Sequence, residues 1–220
     1  MIRHHPPCEL LMDYASGALG EPRALAVAAH VGLCALCRTE VARLEAVGGA
    51  LVEAEAETSA ARDDQLLQAT FDRLDRPEAA GAPVPAGPDD ATRRLLPSAV
   101  WPYVAGGIDR LAWKTVGIGV REAVLAPGGS ALRVSLLRIA PGRAVAKHTH
   151  GGAELTLVLA GGFTDGGEHY ARGDFALADQ AVDHRPVADP GEDCLCLAVR
   201  EGPMRLTGAI GRLIILFLRT

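Results

Sequence analysis

At 220 residues, 49% hydrophobic but only 4% aromatic, the chain has the length of one large domain or two small ones, with cores that must be built mainly from Ala, Leu and Val. Its formal charge of −5 is unevenly placed: residues 1–75 hold six Arg and no Lys against twelve acidic residues, while residues 76–220 hold sixteen basic against fifteen acidic ones. An acidic N-terminal third repels phosphates, which argues against direct nucleic acid binding and suits a basic protein partner. The apolar run at 213–218 is far shorter than the ~20 residues a membrane span requires. The start, Met1-Ile2-Arg3-His4-His5-Pro6-Pro7, lacks the apolar stretch of a secretory signal. A cytoplasmic chain without a membrane partner is expected. Its five cysteines then read as ligands or core residues in a reducing compartment, not as a disulfide framework.

In chain order, apolar residues recur at helical spacing over residues 9–19, 22–31, 37–52 and 64–74, predicting four helices, with Pro22 in a first turn and Gly20 as a stop. Residues 76–97 carry Pro77, Pro83, Pro85, Pro88 and Pro97 with Gly81 and Gly87 and no sustained period, the pattern of a linker. Beyond it, short runs at 131–139, 155–159, 175–177 and 194–199 are separated by Gly- and Asp-containing turns, as in a β-sandwich or barrel. The expected fold class is multidomain α and β: a four-helix domain at 1–75, a linker at 76–97, and an all-β domain at 98–220 closed by a strand at 213–218.

Two ligand sets stand out. In His30-x3-Cys34-x2-Cys37, a second helix reaching Cys34 puts His30 and Cys34 on one face, and Cys37 returns a turn later or from the next helix. Structural zinc takes four N or S ligands in a tetrahedron, so one more must come from elsewhere. His4, His5 and Cys8 lie together at the N-terminus, and His5 is taken ahead of the other two. The second set is His148-x-His150-x3-Glu154 with a distant His184. On strands, His148, His150 and Glu154 share a side by parity, facing a barrel interior. Three imidazoles and a carboxylate suit Zn, Mn, Fe or Ni.

The first set, inside about 75 residues of helix, resembles the zinc-binding anti-sigma domain that inhibits extracytoplasmic-function sigma factors. The resemblance implies three helices bundled around zinc, a fourth extending away, and a module gripped between the two conserved domains of the sigma factor in a one-to-one heterodimer. By position it implies a contact surface on the first and fourth helices, including Leu10, Tyr14, Leu66, Leu67 and Phe71; the same residues are equally candidates for the bundle's own core.

The second set resembles the cupin pattern. Gly142 lies six before His148, Gly161 seven after Glu154, and Gly173 eleven before His184. Asp179 and Ala181 stand where Pro and Gly are usual, which alters a turn without removing a ligand. This implies a jelly-roll barrel with a metal, zinc first and Mn, Fe or Ni as alternatives. Together the two halves resemble ChrR-type anti-sigma factors over nearly the whole chain. That resemblance implies a non-enzymatic regulator, with no catalytic residues, whose N-terminal part inhibits and whose cupin part is needed for release in response to singlet oxygen or related oxidants. Two other readings stand beside it. One is a dioxygenase-like cupin enzyme with an accessory helical domain, since iron or manganese would leave open positions that tetrahedral zinc does not; the other is metal homeostasis.

Three smaller features complete the reading. Cys194 and Cys196 share a strand face and read as small residues filling a tapered barrel, ahead of a redox pair. His169, in the turn at 166–169, is expected to be exposed and not metal-bound. Trp101, Tyr103 and Trp113 are expected to cover the barrel.

Overall fold

Four helices occupy the N-terminal third: α1 (Cys8–Ala15), α2 (Glu21–Leu33), α3 (Ala35–Ala56) and α4 (Asp64–Leu74). The computed structural model describes residues 1–56, 64–74, 87–126 and 132–207. The strand expected at 213–218 and residues 76–86 of the expected linker lie outside the described residues.

Helix α1 stops before the predicted residue 19, and the reason is local. Gly17 takes a φ of +73°, its N–H donates to the Tyr14 carbonyl at 3.1 Å, and the N–H of Ala18 donates to that of Asp13 at 2.9 Å. This paired closure on a left-handed glycine ends the helix. Gly20, expected as the stop, is instead the N-cap of α2, with Pro22 in the first turn. Leu11, Val27, Cys34, Cys37 and Val41 form a small core among the first three helices, whereas every residue of α4 is exposed.

The end of the expected linker is folded. Asp89 caps α5 (Asp90–Leu95) by accepting the Thr92 N–H at 2.8 Å, and Leu96 after it is buried. Two 3₁₀ helices follow, Ser98–Tyr103 and Ile108–Arg110. Five prolines mask a segment whose apolar residues Leu96, Val100 and Val104 are all buried in the main core.

Eleven strands make up the rest of the described chain: β1 (Lys114–Gly117), β2 (Val120–Ala126), β3 (Leu132–Ile139), β4 (His148–His150), β5 (Glu154–Ala160), β6 (Gly162–Asp165), β7 (Glu168–Ala171), β8 (Phe175–Ala178), β9 (Val187–Ala188), β10 (Cys194–Glu201) and β11 (Met204–Leu206). They form a six-stranded sheet in the order β1-β2-β3-β10-β5-β8, a three-stranded sheet β7-β6-β9 and the pair β11-β4. Neighbours are antiparallel.

The centre of the large sheet, β5 and β10, is buried on both faces, whereas its edge strand β1 is exposed. Leu155, Leu157 and Leu159 of β5 with Leu195, Leu197 and Val199 of β10 point to one core, and Val158, Cys194 and Cys196 point to another. The second core is the barrel interior, closed by Phe163 of β6 and Ala188 of β9. The first is covered by Val100, Val104 and Ile108 and by Leu25, Ala26 and Ala29 of α2, so helices and sheet share one apolar cluster. Polar contacts run along the same seam: Arg23 meets Glu201 at 3.0 Å, and the Tyr103 hydroxyl donates to Glu21. Trp101 and Tyr103 pack against this outer core, and Trp113 also does so while lying under the Arg138 guanidinium.

Candidate metal centres

The N-terminal set is assembled from four pieces of backbone. His30 lies in the last turn of α2, Cys34 is that helix's C-cap, Cys37 lies in the first turn of α3, and His5 comes from the extended segment before α1. One ligand atom from each lies within 4.8 Å of the other three. His30 Nε2 is 3.2 Å from Cys37 Sγ, and His5 Nδ1 is 3.4 Å from both thiols. A tetrahedral zinc with usual bond lengths requires gaps of roughly 3.3–3.8 Å between ligand atoms. The Cys2His2 donor set and these distances fit zinc. His4 and Cys8 are not brought in: the His4 ring packs on Tyr170 with centroids 4.3 Å apart, and Cys8 is exposed at the start of α1.

Electrostatics match this assignment. Burial brings the His30 imidazole down to about 4, leaving it neutral at pH 7, the form that ligates. Burial, reinforced by the adjacent Cys34 thiol, pushes the Cys37 thiol up to about 12; a bound cation would stabilise the thiolate instead.

The second set is built across the barrel mouth. His148 and His150 alternate on β4 so that both are buried, Glu154 starts β5, and His184 comes from the loop before β9. The backbones of His148 and His184 exchange two hydrogen bonds of 3.0 Å, which fix the distant ligand. The altered turn before it is held by Asp179, whose carboxylate accepts the Ala181 N–H at 2.9 Å. One ligand atom from each of the four again lies within 4.8 Å of the others; His150 Nε2 is 2.9 Å from His184 Nε2 and 3.0 Å from Glu154 Oε2. This His3Glu set fits a divalent transition metal.

An outer shell orients it. His148 Nδ1 donates to the Ala146 carbonyl at 2.6 Å and His184 Nδ1 to Asp165 Oδ2 at 2.6 Å, leaving both Nε2 atoms for the site. Burial lowers His148, keeping it neutral. Burial alone would raise Glu154, but His150 and Arg200 outweigh it and hold the carboxyl below its usual range. Behind Glu154, buried Arg200 pairs with buried Glu122, which also takes two hydrogen bonds from Arg133 at 3.1 and 2.8 Å. A cavity of about 590 Å³ opens onto the ligands, walled by Leu137, Ile139, Val145, Phe163 and Cys196.

Asp165, Glu122 and Arg200 carry no local motif and were not expected. Cys194 and Cys196 do share a face, with Sγ atoms 3.6 Å apart; the neighbouring thiol and burial push Cys196 well up, so it stays protonated. His169 lies on β7, not in the turn, because the turn residues Gly166 and Gly167 precede the strand; it pairs with Asp189 at 2.7 Å, outside both clusters. The expected contact face divides: Leu66, Leu67 and Phe71 are exposed on α4, whereas Leu10 and Tyr14 are partly buried, Leu10 against two cores. Among the described residues no single helix is long and apolar enough to cross a membrane.

Comparison with known proteins adds three findings. A sequence model of the ChrR cupin-like domain matches residues 104–205. The chain is 41% identical over 221 residues to the anti-sigma-E factor ChrR of Cereibacter sphaeroides, covering 99% of each. It also matches a chain in the crystal structure of Rhodobacter sphaeroides SigE in complex with the anti-sigma ChrR, with a TM-score of 0.75 and 40% identity, over 91% of this chain and all of that one.

Proposed function

The chain belongs to the ChrR family of anti-sigma factors, and from that membership we propose that it binds an extracytoplasmic-function sigma factor one to one in the cytoplasm and keeps it from RNA polymerase. The observation that carries the reading is a match at 41% identity that spans 99% of both chains, which leaves neither the helical nor the cupin half without a counterpart. The partner is a protein, with no direct contact to nucleic acid or membrane.

In this reading residues 1–75 inhibit. Zn2+ held by His5, His30, Cys34 and Cys37 pins α2, α3 and the N-terminal segment together. The sigma factor packs on Leu66, Leu67 and Phe71 of α4, with Leu10 and Tyr14 of α1 at its margin. Residues 98–220 are the release element. Their ligands His148, His150, Glu154 and His184 hold Zn2+, and Mn, Fe or Ni would also suit the donor set. Singlet oxygen or a related oxidant acts on this half, which then weakens the grip of the other; a ligand-driven switch requires such a difference between two states. The cupin cavity serves sensing and not turnover.

The test is transcription by core polymerase and the cognate sigma factor with increasing amounts of zinc-loaded chain. Transcription is expected to fall to background at one equivalent. A folded, zinc-loaded chain that leaves transcription unchanged would refute the proposal.

A further inference from the structure

In the cupin half, Gly173 and Asp174 link β7 to β8, and Phe175 opens β8; Gly173 and Phe175 touch the ligand His30, while Asp174 holds the segment that leads into the ligand His5. His30 Nδ1 donates to the Gly173 carbonyl at 2.9 Å while its Nε2 faces Cys37. The Phe175 ring meets the His30 ring edge-on at 5.8 Å. Asp174, 2% exposed, accepts the N–H of Arg3 at 2.6 Å and of His4 at 2.9 Å on one carboxylate oxygen and the N–H of Ala171 at 2.9 Å on the other. The Phe175 N–H donates to the His4 carbonyl at 3.0 Å. Gly173 has a φ of +93°, and a Cβ there would lie 2.5 Å from Ile2 Cδ1, so the N-terminal segment closes directly over this loop.

Two of the four N-terminal ligands are therefore held from the other half of the chain. A hydrogen bond to the non-ligating nitrogen fixes an imidazole's tautomer and direction and raises its basicity. Chain ends are otherwise mobile, and ordering one costs entropy at every metal-binding event. With residues 3 and 4 clamped by three backbone hydrogen bonds, the main chain that carries His5 is held at the site, so an imidazole that lets go of the metal stays within reach of it.

We propose that the Gly173–Phe175 loop of the cupin half is the outer shell of the N-terminal metal site, with Asp174 and the Gly173 carbonyl as positioning groups that slow the loss of its metal. This rests on the reading that the site binds zinc. It makes metal retention at the inhibitory end depend on contact with the sensing end.

Cobalt(II) substituted for zinc separates the sites, because only the N-terminal set carries thiolates and only it gives thiolate-to-cobalt absorption. The full chain, Asp174→Ala and Asp174→Asn are loaded with cobalt, and decay of that absorption is followed in excess EDTA. Asp174→Ala frees the backbone that carries His5 and is expected to lose that absorption about tenfold faster, the lower end of the effect that outer-shell changes have on metal affinity. Asp174→Asn, which keeps an acceptor for residues 3 and 4, recovers most of the slow rate, and the cupin cobalt spectrum is the same in all three. A wild-type rate in Asp174→Ala overturns the proposal. If Asp174→Ala also disturbs the cupin spectrum, Arg3→Pro decides, since it deletes one N–H donor to Asp174 without altering the barrel: faster loss supports the proposal and an unchanged rate refutes it. Absence of thiolate-to-cobalt absorption in the wild-type chain refutes the metal assignment itself, and the proposal with it.

Discussion

His30 has both ring nitrogens committed, Nε2 toward Cys37 and Nδ1 toward a carbonyl 143 positions along the chain. Its neighbours Cys34 and Cys37 could be chosen from spacing, because a helix end and the next first turn bring them to one point. A Cys37→Ser chain is expected to bind one metal equivalent fewer than wild type by elemental analysis while the cupin metal stays; an unchanged metal content would remove Cys37 from the ligand set. Partners that carry no motif were not legible. Asp165, Asp174 and Arg200 serve groups that only the folded barrel brings near, and the sequence holds many carboxylates and guanidinia like them. Glu122 illustrates the energetic stake. Burial would raise its carboxyl above the ordinary 4.5, but Arg133 and Arg200 hold it lower. The pair's stabilisation is therefore complete above about pH 4.5 and lost as pH falls through the lowered value. Glu122→Gln leaves Arg200 buried without its main counter-charge and is expected to destabilise the barrel by about 3 kcal/mol at neutral pH in urea unfolding. A loss below about 0.5 kcal/mol would mean that Glu154 alone satisfies Arg200.

The four N-terminal helices were legible because each repeats apolar residues at 3.6-residue spacing. Their ends were less so: the choice between Gly17 and Gly20 depends on a backbone closure with no distinguishing side chain. Helix α5 was hidden by the prolines around it, although the Asp89 cap is visible in hindsight. The run Cys194–Leu195–Cys196–Leu197 is continuously apolar because β10 is covered on both faces, one by the barrel interior and one by α2 and the 3₁₀ segment. Helix α4 differs from all of these, with Leu66, Leu67 and Phe71 between 51% and 66% exposed. Phe71→Ala is expected to weaken sigma factor binding by about 2 kcal/mol in titration calorimetry, the scale of an interface anchor, without lowering the melting temperature. A lower melting temperature with unchanged binding would place Phe71 in the chain's own core instead.

Composition and punctuation gave two halves, yet the halves share a core through Leu25, Ala26 and Ala29. That contact was hard to foresee because two of its three residues are alanines, which mark no apolar stripe. It has a consequence for truncation: residues 1–85 without the cupin half are expected to remain helical and inhibitory but to melt several degrees below the full chain, as α2 loses apolar cover. An equal or higher melting temperature would mean that the shared core does not stabilise α2. The same truncated chain is expected to hold its sigma factor through singlet oxygen exposure that dissociates the complex of the full chain. Release from the truncated chain would assign sensing to the helical half.

If this chain inhibits a sigma factor, native mass spectrometry of the full chain purified from its own cells will find one sigma factor per chain with zinc retained. A folded, metal-loaded chain recovered without any sigma factor would contradict it.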